Sequence, residues 1–141
     1  MKQVFIFLTL FFALGLSAQK ANNQNVKLVD MEPFHIDVDV ETAKNMVRIQ
    51  GDNLVFIDVR TPEEIAHGKI KGAVELNFKS PDFKQKLSEL DKTKQYLVYA
   101  YAGGISRIAM NMMKDLGFKQ VYNLDAGLKA WKQTEPVVSI K

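Results

Sequence analysis

Hydrophobic residues recur along the chain in two rhythms, short runs of four or five and longer stretches at helical spacing, with glycine or a proline pair between them. FHIDV at 34–38 alternates as a strand does, and Asp39 stands where a helix cap belongs, ahead of Val40, Ala43, Met46 and Val47. Gly51 closes that helix. LVFID at 54–58 is an unbroken apolar run with β-branched residues, the pattern of a strand covered on both faces and therefore central. Thr61, Pro62 and Glu64 then make a helix start, because Thr caps, Pro fits the first turn and Glu closes a capping box. Gly68 stops it.

The same alternation continues downstream. Gly72 precedes AVEL at 73–76, a third strand, and Ser80-Pro81 opens a helix carrying Phe83, Leu87 and Leu90 on one face. YLVYA at 96–100 is a second strand buried on both sides. After Gly103 and Gly104, the residues Ile105, Ile108, Ala109, Met112 and Leu116 fall on one helical face and are expected to meet the core, with Arg107, Asn111, Lys114 and Asp115 turned outward. Gly117 ends that helix. VYNL at 121–124 is the last strand, and Asp125 is expected to cap a helix carrying Leu128 and Trp131. Strand–helix alternation of this kind predicts an α/β domain of three layers, a mostly parallel central sheet with helices on both faces.

Composition narrows the picture. The 141 residues, 47% hydrophobic and 25% charged, suit one domain with a single sheet-centred core. The first 18 residues stand apart: Lys2, a 13-residue apolar run from Val4 to Leu16, then Ser17 and Ala18, which is the order of a secretory signal peptide. The run is shorter than the roughly 18 residues a membrane span needs. Cleavage after Ala18 removes Lys2 and no acid, lowering the formal charge from +3 to +2, a balance that asks for no nucleic acid. Residues 19–33 are expected to be a flexible leader, 34–133 the domain and 134–141 a short tail. Export would place the protein in the periplasm or outside the cell, with no membrane span after cleavage. The chain has no cysteine, so disulfides, thiolate metal ligands, a thiol nucleophile and a lipidated N-terminal cysteine are all excluded. Nothing in the sequence calls for a cofactor.

In parallel α/β sheets, ligands bind beyond the carboxyl ends of the strands. Two segments arrive there. LVFID delivers Asp58, Val59 and Arg60, and YLVYA delivers Ala100, Tyr101, Ala102, Gly103, Gly104, Ile105 and Ser106. The small residues at 102–104 let successive N–H groups converge at a positive helix end, a nest for an anion. Asp58 is read as an acceptor of backbone hydrogen bonds, with Arg60 pairing an acid such as Glu64 to brace the loop wall; a catalytic carboxylate is the competing role. Ser106 is read as a turn brace, because an activated serine needs a base beside it. His67 ends a short helix and His35 lies in the first strand, and two histidines without a third ligand do not make a metal site. Tyr99 and Tyr101 flank the corner, where Tyr101 lines a pocket if its ring points outward. Trp131 and the methionines at 110, 112 and 113 are read as packing residues.

Three segments together resemble the single-domain rhodanese family of sulfurtransferases, over about residues 34–133. FIDVRTPEEIAHGKIKGAVEL is similar to the family's Asp-Val-Arg segment and its Gly-His-Ile-x-Gly-Ala turn, with Lys69 replacing the usual histidine. LGFKQVYNLDAGLKAW is similar to the closing segment, with Ala126 where a first glycine is common and Gly127, Ala130 and Trp131 in place. AYAGGIS resembles the active-site loop Cys-x-x-Gly-x-x-Ser, with Gly103 and Ser106 matching and Ala100 at the position of the catalytic cysteine. The resemblance implies a rhodanese-like fold and a mechanism in which that cysteine carries sulfane sulfur as a persulfide to a thiol or cyanide. It also implies that residues 101–106 would often include a base for an oxyanionic donor; here Arg107 comes one position later.

Alanine has no lone pair with which to accept sulfur, and no other cysteine can substitute. The expected function is therefore that of an inactive homologue, an exported module binding a sulfur-containing or other small anion, or a protein partner, through the 100–106 loop, with Asp58, Arg60 and Arg107 in support. Two alternatives stand beside it: an active sulfurtransferase whose cysteine has been substituted in this chain, and a hydrolase using Ser106.

Overall fold

The two apolar runs expected at the centre of the sheet lie side by side in it. The computed structural model describes residues 32–134. The signal peptide, nearly all of the leader and all of the tail beyond Thr134 lie outside the described residues. Five strands form one sheet: β1 (Phe34–Val38), β2 (Leu54–Asp58), β3 (Val74–Glu75), β4 (Gln95–Tyr99) and β5 (Gln120–Leu124). Their order is β1-β5-β4-β2-β3, and every pairing is parallel.

Side chains alternate across a strand, so β4 feeds two cores. Tyr96 and Val98 pack with Phe83, Leu87, Met110 and Met113 under helices α3 (Phe83–Ser88) and α4 (Gly103–Asp115). Leu97 and Tyr99 pack with Ala43, Met46, Leu128 and Trp131 under α1 (Val40–Gln50) and α5 (Gly127–Gln133). A strand buried on both faces cannot alternate polar and apolar residues, which is why β2 and β4 read as continuous runs. Each large side chain fully buried here contributes about 1.5–3 kcal/mol of transfer free energy. The expected α/β three-layer arrangement is present.

Several local signals act as the sequence indicates. The Asp39 carboxylate accepts from the Thr42 amide at 2.7 Å, and Gly51 closes α1 at φ 53°. Thr61 and Glu64 form the reciprocal capping box that starts α2 (Pro62–Ile65). Four expectations are corrected. AVEL contributes only the two residues of β3. Ser80-Pro81 forms a turn rather than the first helical turn: Ser80 bonds the Asp82 carboxylate, and α3 begins at Phe83. Asp125 does not cap α5, because its carboxylate is drawn to Arg107 and Ala126 occupies the cap position.

The fourth correction concerns α4. Its buried face is Gly103, Ser106, Ala109, Met110 and Met113, while Ile105 and Ile108 are 41% and 52% exposed. Met112 and Leu116 pack at the margin of the core. Apolar residues occupy more than half of the helix circumference, so spacing alone admits two faces. The choice is made at the first residue. Gly103 is pressed against the Asp125 carbonyl, and that contact fixes the rotation of everything after it.

Candidate functional site

Because β2 and β4 are neighbours, their carboxyl ends deliver Val59–Thr61 and Ala100–Ala102 together. The Val59 amide donates to the Tyr99 carbonyl at 3.1 Å, extending the ladder one step past the strand. Above this junction lies a cleft of about 260 Å³. Val59 and Ala100, both buried, form its floor; Tyr101, Ala102, Gly104 and Ile105 supply one wall, Phe78 and Lys79 another, and Arg60, Thr61 and Glu64 complete the rim.

The loop is held by backbone. The Ala100 and Tyr101 carbonyls accept from the Leu128 and Lys129 amides of α5 at 2.9 and 3.1 Å. In a trans peptide the N–H points opposite to the C=O, so the Tyr101 and Ala102 amides are aimed away from α5. Ala102 caps α4 in extended conformation without a side-chain acceptor. The first amides of α4 therefore lack intrahelical and capping partners alike, at the positive end of the helix.

Two glycines lock this geometry. A Cβ on Gly103 would stand 1.8 Å from the Asp125 carbonyl oxygen, and one on Gly127, at φ 63°, would stand 2.5 Å from the Tyr101 carbonyl oxygen. Gly104 differs, since a Cβ there meets nothing within 4 Å. Gly103→Ala is accordingly expected to cost at least about 3 kcal/mol, through forced backbone movement. Gly104→Ala is expected to change stability by no more than about 1 kcal/mol, helix propensity favouring alanine. Urea denaturation midpoints of the two variants check the contrast, and equal losses would contradict it.

Asp58 and Arg60 form a buried pair at the edge of the cleft, with Arg60 reaching the lining. Arg60 Nε donates to Asp58 Oδ1 at 2.9 Å and Nη2 to Oδ2 at 2.6 Å, with the Arg60 amide on Oδ1 at 3.0 Å. The remaining guanidinium donors reach the Gly68 carbonyl at 2.8 Å and the Glu64 carbonyl at 3.3 Å. This corrects the expected Arg60–Glu64 ion pair. The Glu64 carboxylate is committed to the Thr61 amide, whereas Asp58, two residues away, fits the guanidinium fork. Burial works against the Arg60 charge, but the Asp58 carboxylate more than offsets it and holds the pKa above its ordinary value. Tyr99 packs beside this pair with its hydroxyl accepting from the Ile70 amide at 3.0 Å; burial, then the Asp58 charge, pushes its pKa well up.

The other expected site residues separate. Tyr101 is 54% exposed and is among the residues that line the cleft. Ser106 is fully buried, and its hydroxyl donates to the Gly103 carbonyl at 3.2 Å, so it braces the helix and is absent from the cleft lining. Neither histidine stands beside it: His35 Nε2 lies 3.0 Å from the Phe118 carbonyl, and His67 is exposed beside Lys132. Burial, with Lys114 adding to it, lowers the His35 pKa against the pull of that carbonyl. Arg107 is absent from the cleft lining. It bridges Asp37 and Asp125, joining α4 to the ends of β1 and β5, and the hydrogen bond from Arg107 lowers the Asp37 pKa. Among the described residues no three His, Asp or Glu side chains cluster as a metal would require, and no helix is long and apolar enough to cross a membrane. Phe78 and Lys79 are cleft residues that the sequence does not announce, since the segment after β3 has no periodicity; Thr61, read only as a helix cap, also reaches the lining.

Comparison with known proteins supplies the wider setting. Residues 39–134 match the family model for the rhodanese-like domain. A putative sulfurtransferase of Bacillus subtilis, YtwF, is 35% identical over 100 residues, covering 70% of this chain and 94% of that protein. The thiosulfate sulfurtransferase GlpE of Stutzerimonas stutzeri is 35% identical over 83 residues, 58% of this chain and 73% of its own length. Among solved structures, the rhodanese-like domain of the Alr3790 protein from Anabaena aligns with a TM-score of 0.61 at 28% identity, over 73% of this chain and 75% of that one. A rhodanese-like domain protein from Staphylococcus aureus aligns at 0.63 over 79% and 97%, with 21% identity, a likeness of fold alone.

Proposed function

The chain belongs to the rhodanese-like domain family, and from that premise we propose that it is an exported member that binds through its loop and does not transfer sulfur. One observation carries this: the chain has no cysteine, and Ala100 occupies the corner of the loop where the resemblance places the family's nucleophile. Sulfur transfer needs a thiolate to hold the sulfur between donor and acceptor. A hydrocarbon side chain cannot do this. The uncapped amides at the start of α4 and the open cleft above Ala100 support the binding role, with a small anion, or an anionic group presented by a protein partner, as ligand. Export is supported by the apolar run from Val4 to Leu16 and the small residues after it, and the mature N-terminus is then Gln19.

The protein is expected to give no thiosulfate:cyanide turnover above the uncatalysed rate, and sulfate or thiosulfate is expected to shift the amide resonances of residues 101–106. Turnover would refute the loss of catalysis. Unshifted amides with both anions would refute anion binding and leave a protein-contact or structural role.

A further inference from the structure

We propose that the cleft above Ala100 is built for a small organic anion with an apolar body, and that Lys79 selects its charge. This rests on the anion-binding role proposed above and deepens it. Three groups that line the cleft carry charge, and two are already committed. Arg60 is spent on Asp58 and on the Gly68 and Glu64 carbonyls, and the Glu64 carboxylate is held by the Thr61 amide. Lys79 forms no ion pair with any carboxylate among the described residues, although Glu63 is near enough to feel its charge. Among the described residues Lys79 is thus the one cation of the cleft lining without an ion-pair partner.

The backbone that presents it is fixed. The Phe78 amide donates to the Val59 carbonyl at 3.0 Å and the Lys79 amide to Asn77 Oδ1 at 3.0 Å. The Phe78 ring is braced edge-on by Phe83 at 5.1 Å between centroids. Across the cleft stand Tyr101 and Ile105, both substantially open to solvent, and the floor is Val59 with the Ala100 methyl. Apolar groups thus line both walls and the base. An inorganic oxyanion would leave them in contact with water, whereas a ring or short alkyl chain carrying one negative group would cover them while its charge met Lys79. The volume, about 260 Å³, lies just under the roughly 300–1,000 Å³ usual for small organic ligands.

The test is a titration of the purified protein with benzenesulfonate, inorganic sulfate and the neutral benzenesulfonamide, read from the amide resonances of residues 78–79 and 101–105. Benzenesulfonate is expected to bind at least about tenfold more tightly than either of the others. Lys79→Met, at an exposed position, is expected to weaken benzenesulfonate about tenfold and leave benzenesulfonamide unchanged, while Ile105→Ser weakens both ring compounds. If sulfate binds as tightly as benzenesulfonate, the organic-anion assignment is overturned while the anion-binding role survives, and if Lys79→Met leaves benzenesulfonate binding unchanged, the part given to Lys79 is overturned. Equal binding of benzenesulfonamide and benzenesulfonate overturns the part given to Lys79. No response to any of the three overturns both proposals.

Discussion

Ala100→Cys is expected to raise thiosulfate:cyanide turnover at least about a thousandfold over the alanine protein, because removing a covalent nucleophile commonly costs more than that. The side chain at position 100 forms the cleft floor, so one added sulfur atom enters existing space. It would stand beside the uncapped amides of a 13-residue helix, an environment that stabilises thiolate over thiol. The thiolate attacks the outer sulfur of thiosulfate, forming a new S–S bond as sulfite departs with the electron pair of the old one. Cyanide then takes the terminal sulfur as thiocyanate, and the thiolate returns. Thiocyanate release measures the reaction, and the pH dependence of alkylation measures the thiol pKa, expected below the ordinary value near 8.5. A cysteine variant with an unchanged urea midpoint and no thiocyanate would mean that more than the nucleophile has been lost.

The second large effect is on stability. Asp58→Ala is expected to cost about 3–5 kcal/mol, because it leaves the Arg60 guanidinium buried without its counter-charge. Domains of this kind have about 5–15 kcal/mol in total, so the variant would unfold at a much lower urea concentration. Arg60→Ala removes the opposite charge, and the Asp58→Ala/Arg60→Ala double variant is expected to lose clearly less than the two single losses added together. A loss below about 1 kcal/mol for Asp58→Ala, or strict additivity, would show that the pair does not hold the loop base.

Elements with a strong local cause were legible in the sequence. The capping box at Thr61, the cap at Asp39 and the two doubly buried strands are written in adjacent residues, and the structure contains each of them. The misplaced face of α4 has a different origin. Ile105 and Ile108 fit helical periodicity as well as Met110 and Met113 do, and the deciding contact comes from Asp125, distant in sequence. The loop itself could be read because glycine and alanine at 102–104 leave few alternatives. Phe78 and Lys79 could not, since they reach the cleft only through a turn whose position depends on Val59 and Asn77. Asp125 and Arg107 illustrate the same limit, for a residue expected to cap α5 and a cation on α4 pair with each other at the sheet end.

The lock between the two backbone segments has a consequence for inheritance. Gly103, Gly127 and the Ala100 and Tyr101 carbonyls shape the corner without calling on any side chain at position 100. Residue 100, buried at the cleft floor, can therefore exchange one small side chain for another without disturbing the backbone that shapes the corner. A lineage that loses the reactive group keeps an intact receptacle, available for another use or for later recovery of the chemistry by substitution at one position.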